Sequence, residues 1–311
     1  MGDLFRRYGS GLTGFAIALT AFWLLALVIL PYLGLFEQSF RPYLPVVDVG
    51  GPKDFYSFNN YMAVLNNPTQ ISVLGLFSFP VPIHLWVFFI TVFYSCVVTF
   101  FALVVCYPLS FYLAKVISPR RLAGYLLLLV IPMWVSELLR SFSWFILLAF
   151  KGPLTTILQY LGIITEPVRW TWGLGGYSGI IIGLTYSYIL FMLFPLYNAM
   201  SSLDTNQIEA SEDLGAKWWQ THWRVIMPHA KPGIASGCVT VFMLSVGSIL
   251  VPTLLASPSS RWFTEIIQQW MFEGQDWNTG AAYAFLLLIV CTIFVTVMMR
   301  LFKVGLADIA K

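Results

Sequence analysis

The charged residues that could support a contact or a reaction are concentrated in one short segment of this chain. The segment from Asp204 to Lys231 holds two of the three histidines and seven charged residues: Asp204, Glu209, Glu212, Asp213, Lys217, Arg224 and Lys231. The stretches 170–203 and 232–260 on either side contain no Asp, Glu, Lys or Arg. A structured polar segment between two long apolar stretches indicates a contact surface for a soluble partner.

Helix signals divide this segment, which we call the polar hairpin (204–231), into two parts. Asp204 is predicted to cap a first helix, with Gln207 three residues later as a variant of the capping box. Gly215 lies where a left-handed residue would end that helix. A second helix is predicted over about 217–225, and it should end near Pro228, because proline disfavours helix at the preceding residue.

A second group of candidate residues lies inside an apolar stretch. Glu137 and Arg140 are three residues apart and could pair on one helix face, with Trp144 one turn further as an aromatic wall. Ionisable residues inside a membrane are costly and mark a pathway or a water-filled cavity. An anchoring pair near the interface and a translocation path both remain open for these residues.

A third group combines acids and aromatic rings in the last polar loop: Glu265, Trp270, Glu273, Asp276 and Trp277. Acidic and aromatic side chains together hold organic cations. The same composition also suits a surface that docks a binding protein, or an interfacial aromatic belt. The sequence leaves these three interpretations open.

Several other kinds of site are not supported by the sequence. His84, His222 and His229 share no spacing and have no nearby cysteine, so no metal site is expected. The four cysteines lie in apolar runs and are expected to be buried without a disulfide. No GxxxxGK phosphate loop, nucleophile elbow or paired-carboxylate arrangement is present, which argues against an enzyme. The small net charge of +3 is spread along the chain and gives no indication of nucleic-acid binding.

The elements that must position these residues are membrane helices. The chain of 311 residues is 59% hydrophobic and 10% charged, against about 25% charged in soluble domains. About 20 apolar residues cross a bilayer, and six stretches qualify: about 12–36, 85–114, 124–148, 177–200, 234–256 and 279–301. The first is too long for a cleaved signal peptide and is interpreted as a retained span.

Basic residues predict the orientation of these spans. With the N-terminus inside, eleven Lys and Arg residues fall on the cytoplasmic side and five on the other. Both termini and the polar hairpin are therefore expected in the cytoplasm, and the segments 37–84, 151–176 and 257–278 outside. A short surface helix is expected near residues 56–62. The predicted fold is all-α, a single polytopic transmembrane domain over 1–311.

The spacing within the polar hairpin resembles a known family signature. Glu209-Ala210-Ser211, then Gly215, then Val225-Ile226-Met227-Pro228 resembles the EAA signature of ABC-importer permeases: Glu-Ala-Ala, three residues, Gly, nine residues, Ile-x-Leu-Pro. Ser211, Val225 and Met227 depart from it modestly, and Ser211 could alter packing in a docking groove. The resemblance to the B-type permease subunits of spermidine/putrescine importers extends further, through Tyr107-Pro108-Leu109, Leu139-Arg140, Phe194-Pro195-Leu196-Tyr197 and Pro232-Gly233-Ile234.

This resemblance implies the type I importer permease fold in a bacterial inner membrane. It implies that the hairpin, through Glu209, Ala210, Ser211, Gly215 and Pro228, couples to a separate ATPase that carries ATP and Mg²⁺, so that this chain holds no cofactor. The partners implied are a second and different permease, two ATPase copies and a solute-binding protein on the outer segments. A polyamine is the implied substrate, with ferric ion or organophosphonate as alternatives. An ion-gradient transporter is the rival class, and it leaves the hairpin spacing unexplained.

Overall fold

The computed structural model describes residues 9–45, 47–48, 50–66, 68–73, 77–172, 176–257 and 260–305. These residues form two compact units, which are described separately. The first unit combines the chain up to Ile83 with Ile267–Leu287, and the second combines His84–Ile266 with the residues from Leu288 onward. That the chain forms one transmembrane domain remains a prediction.

The first unit begins with a long helix and continues into short elements. Its elements are α1 (Gly11–Ser39, with a π-helical turn at Leu25–Ile29), α2 (Asn59–Met62, followed by a 3₁₀ turn at Ala63–Leu65), β1 (Pro68–Val73), β2 (Phe77–Pro82) and the start of α12 (Trp277–Phe302). The short helix α2 overlaps the surface helix expected near residues 56–62.

The strands β1 and β2 form an antiparallel hairpin that the sequence analysis missed. Pro68 pairs with Pro82 at one end, and Val73 pairs with Phe77 at the other. A period-two apolar pattern runs through Ile71, Val73, Phe77, Phe79 and Val81, and such a pattern is the usual signal for a strand. The strands were not predicted, because the outer segment 37–84 was assigned from its composition alone. The fold is otherwise all-α, as predicted.

The second unit contains most of the remaining helices. In chain order they are α3 (Ile83–Val116), α4 (Pro119–Trp134), α5 (Glu137–Leu147), α6 (Pro153–Tyr160), α7 (Ser178–Ser201), α8 (Thr205–Asp213), α9 (Trp218–Gly247), α10 (Leu250–Leu255) and α11 (Phe263–Gln268). Within the described residues, five helices are long and apolar enough to span a bilayer, or six when α4 and α5 count as one broken span.

Two of the predicted spans are broken in the structure. The stretch 124–148 was expected as one span, but α4 and α5 meet at an angle of 87°. Pro132 lies in a 3₁₀ turn at the end of α4, where it removes a helical hydrogen bond. The stretch 234–256 is also divided, because α9 ends at Gly247 and the short helix α10 starts at Leu250.

The second helix of the polar hairpin does not end near Pro228, as the sequence predicted. It continues as α9 through Pro228 and Pro232 to Gly247. A proline ring inside a helix clashes with the carbonyl four residues earlier. For Pro228 that carbonyl belongs to Arg224. Arg224 lies in a π-helical turn, His222–Ile226, and we attribute the continuity of α9 to the wider backbone of that turn.

The core of the second unit is built on the close approach of α7 and α9. A β-carbon added at Gly233 would lie 2.5 Å from the Pro195 carbonyl oxygen, and one at Gly237 would lie 2.7 Å from Met192 Sδ. Glycines four residues apart allow two membrane helices to pack backbone against backbone. Leu193, Leu196 and Val241 are fully buried around this contact. The α7–α9 pair therefore forms the rigid base from which α8 projects.

Candidate functional site

The helix α8 is closed at both ends by its own sequence. Asp204 Oδ1 accepts a hydrogen bond from the Asn206 backbone N–H at 3.0 Å, which confirms the predicted N-cap. At the other end Gly215 has a φ of +78°. The Gly215 N–H donates to the Glu212 carbonyl at 2.8 Å and the Ala216 N–H donates to the Ser211 carbonyl at 3.0 Å. This is a complete Schellman motif, and it ends the helix where the sequence predicted.

A side-chain hydrogen bond ties α8 to α9. Ser211 Oγ donates to the Ile208 carbonyl at 2.7 Å and lies 3.0 Å from Thr221 Oγ1. Because the Ser211 proton is used within α8, the Thr221 hydroxyl is the donor between the two helices. Thr221 is buried and Ser211 is partly buried. Ser211, which from the sequence could alter packing in a docking groove, faces α9 in the structure.

Two further contacts hold the polar hairpin against the membrane helices. Lys115 Nζ donates to the Leu203 carbonyl at the junction of α7 and α8. Tyr107 Oη lies within hydrogen-bond distance, 3.1 Å, of His222 Nδ1, and the rings of Phe111 and Trp218 pack on His222 at centroid distances of 4.6 and 4.2 Å. Nothing in the spacing of these residues links α3 to α9, so these contacts could not be predicted from the sequence.

The outward side of the polar hairpin is open to solvent. Glu209, Ala210, Gly215 and Pro228 are all exposed. The Glu209 carboxylate forms no hydrogen bond within the described part of the chain. Leu214 is 89% exposed at the helix end, and Trp219 and Trp223, four residues apart, are also exposed. The outward side therefore has both charged and apolar groups available for contact.

The second group of candidates lies at the start of α5. Glu137 and Arg140 form no salt bridge in the described structure, in contrast to the expected pair. Glu137 Oε1 instead accepts a hydrogen bond from Tyr188 Oη on α7 at 3.1 Å. Arg140 Nε is buried without a partner. The Trp144 ring packs edge-on against Tyr186, with centroids 5.4 Å apart, so this face of α5 lies against α7.

Two acidic residues of the third group, Asp276 and Glu265, cap helices. Asp276 accepts from both the backbone N–H and the hydroxyl of Thr279, at 3.0 and 2.7 Å, and so caps α12. Glu265 accepts from the Trp262 N–H at 2.8 Å and caps α11. Glu273 is exposed, and the Trp270 ring lies 6.4 Å from that of Tyr283. The acids of this loop are thus spread over separate structural roles.

Trp277 lines a cleft in the first unit beside a charged network. The cleft has a volume of about 240 Å³ and is also lined by Arg41, Asp54 and Asn278. Arg41 forms salt bridges with Glu37 at 2.6 Å and Asp54 at 2.9 Å. Hydrogen bonds to Glu37 and Tyr56 raise the pKa of Arg41 further above its usual range. This guanidinium therefore stays charged, and the cleft presents both signs of charge.

Comparison with known proteins identifies the family. The family described as "Binding-protein-dependent transport system inner membrane component" matches residues 81–306, well over half of the chain. The chain belongs to this family. It is a multi-pass inner-membrane permease component of an ABC importer, and its role is transport.

Individual relatives agree with this assignment. The permease is 32% identical over 279 residues to the spermidine/putrescine transport system permease protein PotB of Escherichia coli K12, covering 89% of this chain and 93% of that protein. It is 30% identical over 284 residues to PotB of Haemophilus influenzae, covering 91% and 92% of the two chains.

A solved structure shows the same fold. A chain of the bacterial alginate ABC transporter, in complex with an alginate pentasaccharide-bound periplasmic protein, superposes with a TM-score of 0.68. The match covers 98% of the permease and 99% of that chain at 17% identity. The permease therefore has the fold of an ABC-importer membrane subunit.

Proposed function

We propose that this permease carries a polyamine or a related small organic amine across the inner membrane. The observation that supports this substrate class is the 30–32% identity to two PotB proteins, over about nine tenths of each chain. The half-buried carboxylate of Glu137 adds chemical support, because an organic amine is cationic and a carboxylate in a membrane is costly without a function. Ferric ion and organophosphonate remain the alternative solutes. Membership of a binding-protein-dependent family leaves the ion-gradient alternative without support.

The polar hairpin is proposed to transmit the movement of an ATPase to the membrane helices. A lever of this kind must be rigid and firmly attached, because movement at one site reaches another only through packed elements. The caps of α8, the Ser211–Thr221 bond and the Lys115 contact supply that rigidity. Glu209, Ala210 and Pro228 supply the exposed contact, with Gly215 closing the helix and Ser211 bracing it from inside. ATP and Mg²⁺ would be held by the ATPase, so this chain needs no cofactor.

The assembly proposed around the permease follows from the same reasoning. Two ATPase copies would contact the cytoplasmic side, and a second permease, a different chain, would complete the pathway. A solute-binding protein would dock on the outer segments 37–84, 151–176 and 257–278, which include the cleft at Arg41 and Trp277 and the exposed Glu273. Both termini would lie in the cytoplasm, as the distribution of Lys and Arg predicts.

The test uses the assembled importer. The tagged permease, with the subunits that copurify with it, is reconstituted in vesicles, and uptake of labelled spermidine and putrescine is measured with and without ATP. We expect ATP-dependent uptake, and its loss in Glu209→Arg and Gly215→Arg, because a bulky cation at either position disturbs the docked face or the left-handed turn.

Two controls make the outcome decisive. Both variants should still insert in the membrane, since neither residue lies in the core. Uptake that is unchanged in Glu209→Arg would contradict the coupling role. Uptake of neither amine by the unaltered importer would contradict the substrate, and uptake of ferric ion or a phosphonate under the same conditions would replace it.

A further inference from the structure

Two broken helices of the second unit meet at one place. The first break lies between Trp134 and Glu137, where α4 and α5 are bent by 87°. The second lies between Gly247 and Leu250, where α9 gives way to α10. The helices α5 and α10 pack against each other, and α7 packs against both. In a bilayer, backbone outside regular helices is tolerated only where it is buried in protein or lines a cavity. Broken helices commonly form substrate sites in transporters.

A carboxylate without a salt bridge among the described residues lies at this meeting point. Glu137 is the first residue of α5, so it directly follows the first break. Its one hydrogen bond within the described residues is the 3.1 Å bond from Tyr188 Oη. Its oxygens have further acceptor sites, since Arg140 does not bind them. A half-buried acceptor of this kind is complementary to an ammonium group.

Three buried serines lie close in sequence to the residues of this meeting point: Ser187 precedes Tyr188, and Ser245 lies three residues before Ser248. Ser248 forms the second break, and its side chain neighbours the Tyr188 hydroxyl. The hydroxyls of Ser187 and Ser245 have no hydrogen-bond partner among the described residues, although these residues are only 2% and 0% exposed. Buried polar groups are nearly always paired. Together with the spare acceptor sites of Glu137, these hydroxyls leave hydrogen-bonding capacity for a polar ligand.

Groups of both signs act at this place: Glu137 and the C-terminal end of α9 attract a cation, whereas the N-terminal end of α5 and Arg140 oppose it. The long helix α9 ends at Gly247, so the negative end of its dipole points at the second break. Glu137 adds a full negative charge, and the Tyr188 and Ser248 hydroxyl oxygens can accept hydrogen bonds. Arg140, three residues further along α5, opposes a bound cation.

We propose that Glu137, Tyr188 and Ser248 form an ammonium-binding site where the two broken helices meet, and that an amine of the transported solute occupies it in transit. The proposal rests on the proposed amine import and adds the residues that select the solute by charge. Tyr188 and Ser248 were not candidates on sequence grounds, because neither is ionisable near neutral pH and neither belongs to a recognisable spacing.

The test is the kinetics of amine uptake by the reconstituted importer. Glu137→Gln keeps the shape of the side chain and removes its charge. A hydrogen bond to a charged group is worth enough to raise KM for spermidine and putrescine roughly 10- to 100-fold when it is lost. Tyr188→Phe and Ser248→Ala should each raise KM several-fold. Ser143→Ala is the matched control, since its hydroxyl bonds only the Leu139 carbonyl of its own helix and is exposed; KM should not change.

The outcomes distinguish failure of the proposed binding site from failure of the proposed amine import. Uptake by the unaltered importer with KM unchanged in both Glu137→Gln and Tyr188→Phe would overturn the site and leave amine import standing. Absence of amine uptake by the unaltered importer would overturn both. If Glu137→Gln fails to assemble, Tyr188→Phe and Ser248→Ala decide, and Glu137→Asp should recover part of the affinity. A lower KM in Glu137→Gln would also overturn the site, because it would mean that the carboxylate repels the solute.

Discussion

At the scale of single residues, the departure of Ser211 from the family signature has a structural use. Alanine at this position would leave the Thr221 hydroxyl of α9 without its partner on α8. A serine supplies an acceptor and keeps its own proton for the Ile208 carbonyl. This modest departure from the signature thus adds a hydrogen bond between α8 and α9. The bond lies on the side of α8 away from the exposed Glu209.

The first residue-scale prediction concerns this bond. Thr221→Val should lower the free energy of local opening of α8 by about 1 kcal/mol, since it removes one hydrogen bond in a partly buried place, and Ser211→Ala should lower it by more, since it also removes the bond to the Ile208 carbonyl. The double variant should lose less than the sum, because both changes remove the same interaction. Hydrogen exchange of the backbone amides of residues 205–213 measures the effect. Strict additivity would show that the two hydroxyls do not interact.

At the same scale, the spacing of Glu137 and Arg140 did not identify the partner of the Glu137 carboxylate. Its spacing from Arg140 predicted a pair on one helix face, but Glu137 is bonded to Tyr188 on another helix. Residues three apart on a helix can reach each other, yet a partner on a neighbouring helix competes for the same oxygen. That partner lies 51 residues later in the chain, so no local pattern could identify it.

At the scale of elements, a proline in the sequence does not by itself determine whether a helix breaks. Pro132 accompanies a break between α4 and α5, whereas Pro108, Pro195, Pro228 and Pro232 all lie inside continuous helices. A proline always removes one donor. Whether the helix breaks depends on packing around the lost bond, as the π-helical turn before Pro228 illustrates.

The element-scale prediction concerns the contact of α7 with α9. Gly233→Ala should destabilise the permease by about 1–3 kcal/mol, because the added methyl would meet the Pro195 carbonyl oxygen and Ala199 Cβ at 2.5 and 2.6 Å. Thermal unfolding of the detergent-purified chain measures the change. Gly124→Ala is the matched control, since a β-carbon on this helical glycine of α4 meets nothing within 4 Å. Equal melting temperatures for the two variants would contradict the close packing.

At the scale of the whole molecule, apolar length predicted the number of membrane helices. Among the residues that the structure describes, five long helices and one bent pair correspond to the six stretches expected. Hydrophobic length is set by the bilayer and needs no knowledge of neighbours. The orientation rests on the Lys and Arg distribution alone, so it is a prediction that a labelling experiment can decide.

The prediction for orientation uses two exposed positions of the second unit. Leu214 at the end of α8 is 89% exposed and Tyr160 at the end of α6 is 92% exposed. In a variant without the four native cysteines, Tyr160→Cys should react with a membrane-impermeant maleimide added to spheroplasts. Leu214→Cys should react only after the membrane is opened. The reverse pattern would place the polar hairpin outside and contradict the coupling proposal.

The sequence by itself determined the membrane class, the caps of α8 and the family signature of the polar hairpin. These depend on composition and on neighbours within a few residues, where each side chain acts on its own backbone. Only the tertiary structure decided that Ser211 faces Thr221, that Glu137 bonds Tyr188 and that the breaks at Ser136 and Ser248 come together. Such contacts depend on which faces of distant helices pack together. Close approaches such as that of Gly233 to the Pro195 carbonyl set that packing.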